Sequence, residues 1–119
     1  MPRQSLFNSF KNAFRGLAVA VRTQRNIRIH LLATLLVTAA GVYLHITRLE
    51  WAALFISIGL VLALELINTA LEVTLDHLHP ELHPKIGMAK DIAAAAVVIA
   101  AITAVAVAFA VFYVRIKAL

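Results

Sequence analysis

The sequence of 119 residues has no cysteine, which excludes a disulfide framework, a thiolate metal site and a thiol nucleophile. It has no acidic residue before Glu50 and only six altogether. The basic residues lean the other way: Arg3, Lys11, Arg15, Arg22, Arg25 and Arg28 are six of the eleven. No apolar run begins before residue 29 and no convincing cleavage site follows it, so the N-terminus does not read as a secretory signal. Phosphate-cradling glycine loops are missing too. There is no GxxxxGK[ST] and no GxGxxG, so any nucleotide site here differs from those of the soluble kinases.

What is present is apolar. Hydrophobic residues make up 62 % of the chain, against about half in a soluble domain. They fall in long runs, which points to a membrane protein. Residues 4–23 come first and read as an amphipathic helix. Leu6, Phe7, Phe10, Phe14, Leu17 and Val21 recur at spacings of three and four, while Lys11, Arg15 and Arg22 fall largely on the other side. Aromatics on one face and bases on the other suit a helix lying in the membrane interface rather than one covering a soluble core. Beside a span, a basic segment meets anionic lipid, and no nucleic-acid partner is expected.

Three spans follow, at 29–46, 51–75 and 87–114. Each is at least the roughly 17 residues that a hydrocarbon core of about 30 Å requires. Gly41, His45, Thr47 and Arg48 mark the first turn, Trp51 anchors the second span at an interface, and Pro80 and Pro84 break the chain before the third. With the N-terminus inside, the cytoplasmic side holds the six early bases plus Lys85 and Lys90, and the outside holds Arg48, Arg115 and Lys117. This bias places the N-terminus in the cytoplasm and the C-terminus outside. Ala96, Ala100, Ala104 and Ala108 form a stripe at spacing four that lets helices approach closely in lipid. The expected fold is therefore an all-α integral membrane protein, one domain over 1–119, with an N-terminal surface helix and three transmembrane helices. Three spans make a thin bundle, so a homo-oligomer is expected.

The second span carries a polar stripe. On an ideal helix Glu65, Asn68, Glu72 and Asp76 fall at about 0°, 300°, 340° and 20°, within one sector of about 80°. Thr69 flanks it and reads as a packing hydroxyl. Glu65 lies about 10 Å from Glu72 along the axis, and Asp76 about 6 Å further on. With Trp51 at the outer interface, Glu72 and Asp76 reach the inner surface and Glu65 lies below it. A charge at mid-membrane costs roughly 2.5–3.5 kcal/mol, so Glu65 is a functional candidate. The short loop returns Lys90 and Asp91 beside this stripe. Carboxylates, an amide, a lysine and a divalent cation are the parts for handling phosphate.

The runs ELINTALEVTLD (65–76) and PELHPKIGMAKDIAAAAV (80–97) resemble the bacterial membrane lipid kinases, the diacylglycerol kinase and undecaprenol kinase family. RTQRNIRIHLL (22–32) resembles the segment leading into their first span, and the similarity covers essentially the whole chain. RNxRIH and HPELHP look closer to the undecaprenol kinase branch. The resemblance implies a multi-pass protein of the bacterial inner membrane, a homotrimer with active sites shared between subunits, MgATP as donor and a lipid alcohol as acceptor. It implies Glu65 as general base, with Asn68 in the catalytic patch and Glu72 as ligand of the nucleotide-bound metal. Asp76 would support the site; Glu81, His83, Lys90 and Asp91 would meet the nucleotide. Where the family commonly has a second metal-binding glutamate this chain has Gln24, and that role is not carried over.

Two other classes compete. A small proton-coupled transporter would use Glu65 and have no need of Glu72, Lys90 or ATP. A non-catalytic scaffold assembled through the alanine face would tolerate Glu65→Gln. The histidines of HLHPELH read as loop residues rather than zinc ligands, and His30 and His45 as structural or interfacial.

Overall fold

A computed structural model describes residues 5–119 and is helical throughout, apart from short connections. The elements are α1 (Leu6–Thr23), α2 (Arg25–Tyr43), α3 (Arg48–Leu78) and α4 (Pro84–Lys117). The last three are long and apolar enough to cross a membrane. The surface-helix stretch expected from residue 4 begins at Leu6, with Ser5 as its cap: Ser5 Oγ accepts from the Asn8 amide at 3.2 Å. Gln4 lies outside the described residues.

The helices overrun the expected spans, and each end has a local cause. Residues 29–46 were expected for the first; α2 instead starts at Arg25 and stops at Tyr43. It stops because His45 adopts the left-handed conformation, φ 52°. The Ile46 amide then reaches back to the Gly41 carbonyl (3.2 Å) and the His45 amide to that of Val42 (3.3 Å). These are the two bonds of a Schellman ending, with histidine where glycine is usual. The second helix was expected from 51 to 75, yet α3 starts at Arg48. Thr47 and Glu50 form a reciprocal capping box: Thr47 Oγ1 accepts from the Glu50 amide and Glu50 Oε1 from the Thr47 amide. The third was expected from 87 to 114, but Pro84 occupies the first turn of α4, where its missing N–H costs nothing.

At about 1.5 Å per residue, α3 and α4 are some 46 and 51 Å long, well beyond a 30 Å hydrocarbon core. Their ends must stand in the headgroup layer or in water. That allowance lets one continuous helix carry both apolar turns and an acidic end.

α3 and α4 form the principal antiparallel pair, with α2 packed on α3 and α1 touching α2 and α3. One end of the bundle holds the apolar core of Ile46, Leu54 and Val111, surrounded by Val37, Leu44, Trp51, Val107, Ala108 and Phe112. Glu50 Oε1 also accepts from Arg115, tying the start of α3 to the end of α4 at this end. The alanine stripe turns inward here. Ala100 is buried, Ala104 and Ala108 line a half-open pocket of about 170 Å³ with residues of α2 and α3, and Ala96 is exposed.

Gly41 is needed where it stands. A Cβ there would lie 2.6 Å from Trp51 Cη2 and 3.0 Å from Ile46 Cδ1. The Trp51 ring is itself stacked on Phe55, with centroids 5.2 Å apart, so it has little freedom to withdraw. Gly41→Ala should lower stability by about 1–3 kcal/mol, the usual cost of overpacking. Thermal unfolding in micelles, followed by Trp51 emission, checks this.

Candidate active site

The polar stripe lies on the half of α3 away from the Trp51 core. Glu65 is 3 % exposed, an acidic side chain as buried as the core residues. Ile27, Val97 and Ala100 are the buried residues of α2 and α4 nearest that end of the bundle. Among the described residues nothing hydrogen bonds the Glu65 carboxylate. One turn on, Asn68 Nδ2 donates to Glu72 Oε1 at 3.5 Å, a long contact. The amide must face this way, because turning it would set two oxygens against each other. Its other atom, Asn68 Oδ1, is then buried with no partner. A buried acceptor without a donor costs about 1–3 kcal/mol, and among the described residues this oxygen meets none.

Asp76 accepts an ion pair from Lys90, across the loop to the first turns of α4. The side chains are 64 % and 33 % exposed respectively, so the pair stands at the surface and the lysine remains free to exchange partners. Thr69 Oγ1 donates to the Glu65 carbonyl at 2.9 Å, which occupies its proton in helix packing.

The remaining expected residues are placed less closely. Glu81 is exposed in the loop, where its carbonyl lies 3.4 Å from His79 Nδ1. His83 caps α4: its Nδ1 accepts from the Lys85 amide at 3.1 Å. An accepting Nδ1 leaves the neutral ring's proton on Nε2, directed away from the helix. Asp91 is exposed and makes no hydrogen bond or ion pair among the described residues. Gln24 is half-buried at the elbow between α1 and α2, with Nε2 donating to Thr23 Oγ1 at 3.4 Å. The chain thus joins Asn68 to Glu72 and Asp76 to Lys90, sets Glu65 one turn deeper, and leaves Glu81 and Asp91 at the rim.

Two features beside the site went unread in the sequence. One is a groove of about 490 Å³ between α1 and α3, lined by Ala13, Gly16 and Ala20 on one side and Leu66, Thr69 and Val73 on the other. The other is Arg28, whose guanidinium bonds the end of α1. Neither leaves a periodic signal.

A family model described as prokaryotic diacylglycerol kinase matches residues 11–112. The chain belongs to the prokaryotic diacylglycerol kinase family. It is a lipid kinase, and its family's activity implies use of ATP. Its relatives include the undecaprenol kinase of Bacillus subtilis, 37 % identical over 89 % of this chain and 86 % of that protein. The diacylglycerol kinase of Synechocystis is 42 % identical over 87 % of this chain, which spans only 59 % of that protein. The diacylglycerol kinase of Escherichia coli K12 is 33 % identical over 78 % of this chain and 76 % of its own length. The family resemblance carried by residues 65–76 and 80–97 is thereby established, and with it a multi-pass membrane protein.

The exposure of the Asp76–Lys90 pair sets its energetic value. Surface pairs contribute about 0–1 kcal/mol. Asp76→Asn should therefore change stability by less than about 1 kcal/mol. Thermal melting of the purified variant in micelles tests this, and a larger loss would mean that the pair holds the bundle together.

Proposed function

We propose that this lipid kinase transfers the γ-phosphoryl group of MgATP to undecaprenol at the cytoplasmic membrane surface. The observation that carries it is the polar face of α3, where the buried Glu65 is followed one turn on by the Asn68–Glu72 contact and then by Asp76 paired with Lys90 at the surface. The Glu72 carboxylate, with Asn68 beside it, fits a hard cation such as Mg²⁺, which keeps waters and is bound through one or two carboxylates plus substrate phosphates. Glu72 would hold it, and the bound ion would supply neutralisation of charge on the transferred group.

The other residues have roles set by depth. ATP arrives from water and meets Lys90, which exchanges Asp76 for phosphate oxygens. Asp91, Glu81 and the outward Nε2 of His83 surround the nucleotide. The lipid hydroxyl comes from the membrane side, its chain lying in the α1–α3 groove, and Glu65 accepts its proton as the oxygen attacks. Phosphoryl transfer asks the protein mainly for this positioning and neutralisation. α1 lies in the interface with Phe7, Phe10 and Phe14 toward lipid; all three are exposed in the protomer. The N-terminus is cytoplasmic, which keeps the basic segment and the site on the ATP side. The assembly is a homotrimer with shared sites, in keeping with the apolar surface that a single protomer leaves uncovered.

Undecaprenol is favoured over diacylglycerol because the Bacillus relative named for that activity matches through 86 % of its length, and because RNxRIH and HPELHP resemble that branch. Radiolabelled ATP, offered with undecaprenol and diacylglycerol separately in mixed micelles, should label undecaprenol faster. Faster labelling of diacylglycerol would reverse the acceptor, and no labelled lipid from a folded oligomer with Mg²⁺ would overturn the reading.

The metal assignment has its own test in a magnesium titration of that rate. Glu72→Ala should raise the Mg²⁺ concentration required; Gln24→Glu should lower it if that position faces the site, and no change would show that it faces elsewhere. An unmoved titration in Glu72→Ala would remove Glu72 from the metal site.

A further inference from the structure

The break between α1 and α2 has no local cause in its own residues. The segment Arg22–Asn26 contains neither proline nor glycine, and Gln24, in extended conformation (φ −113°, ψ 110°), offers no side-chain cap to α2. A continuous helix would be the default. What replaces it is a set of bonds that terminate α1. The Gln24 amide donates to the Ala20 carbonyl at 2.8 Å, and Thr23 Oγ1 to that of Val19 at 2.8 Å. The next two carbonyls, Val21 and Arg22, both accept from Arg28 Nη1 at 2.9 Å. These are orphan carbonyls of a helix end, and a cation is the favoured group beside them. Arg28 belongs to α2, one turn beyond the break. Its guanidinium therefore crosses the elbow and binds one helix to the other.

The elbow sets where α1 lies, and α1 is one wall of the groove over α3. The α1 wall combines the small Ala13, Gly16 and Ala20 with Leu17, Val19 and Thr23, so the width of the groove of about 490 Å³ depends on where α1 is held. Its volume is within the roughly 300–1,000 Å³ typical of small-molecule sites. The α3 wall, centred on Leu66, Thr69 and Val73, lies about 100° round the helix from the Glu65–Glu72 stripe. Thr69 touches both sides, lining the groove and bonding the Glu65 carbonyl. A change in the lean of α1 would widen or close the groove while leaving Asn68, Glu72 and Lys90 in place, since those rest on α3 and α4.

We propose that Arg28 is a positioning residue: by binding the last carbonyls of α1 it fixes the elbow, and so sets the width of the α1–α3 groove that receives the acceptor lipid. This rests on the kinase reading of the neighbouring stripe. The function of Arg28 is thus separated from that of the other early bases, which offer charge to the membrane surface.

The test uses the full chain in mixed micelles with undecaprenol and MgATP, as wild type, Arg28→Met and Arg28→Lys. Paired spin labels at Arg15→Cys and His77→Cys, diluted with unlabelled protein, report the distance from α1 to α3; the absence of native cysteine makes the labelling specific. Arg28→Met should broaden that distance and raise the lipid KM severalfold, with kcat and the ATP KM nearly unchanged. Arg28→Lys keeps the charge and should fall between it and wild type. An unchanged distance in Arg28→Met, or a fall in kcat with no separate effect on the lipid KM, overturns the proposal. Should the Met variant not assemble, the Lys variant decides: wild-type distance and constants overturn the proposal, and a broadened distance with a raised lipid KM supports it. If the wild type itself labels no lipid, the kinase reading fails, and the distance measurement still judges the elbow.

Discussion

Hydrocarbon offers no hydrogen-bond partner, so a chain crossing it must satisfy every peptide group within its own helices and confine every break to a surface. The rest of this structure follows from that constraint. α3 and α4 run far past the bilayer core, and four helix ends are closed by specific devices. Thr47 and Glu50 close the start of α3, His45 and Ile46 the end of α2, His83 the start of α4, and Arg28 the end of α1. One end of the bundle is rigid, with an apolar core and the Glu50–Arg115 pair. The other end is where polar groups accumulate.

The same constraint makes the stripe informative. A carboxylate in an apolar helix is tolerated only where it is sheltered or used. Glu65 is sheltered inside the protomer, and one turn on Asn68 and Glu72 share one contact, with the amide oxygen buried. In the proposed reading, depth sorts the four residues of this face into a part for a membrane-borne hydroxyl and a part for a metal-bound nucleotide. The family fixes the class of chemistry, and the geometry supports this division of labour within it.

Much of this was legible in the sequence. Helical periodicity placed Glu65, Asn68, Glu72 and Asp76 on one face before any coordinates, and a short loop predicted that Lys90 would return beside them, as it does at Asp76. The capping box was also readable: Thr47 and Glu50 stand three apart before an apolar run, but the acid was counted only as a charge. Other features had no linear signal. The left-handed turn falls on His45, where glycine would have announced it. The Arg28 bonds span six and seven residues across an elbow with no breaker in it. The orphaned Asn68 oxygen depends on which way one amide faces.

The division by depth is the central claim, and binding separated from transfer tests it most directly. Calorimetric titration of MgATP into Glu65→Gln and Glu72→Gln, beside wild type, measures the donor half alone. Glu65→Gln should bind MgATP as wild type does while transferring no phosphate, and Glu72→Gln should bind it much more weakly. Equal loss of MgATP binding in both variants would contradict the account, because a buried base for the lipid hydroxyl has no reason to hold the nucleotide.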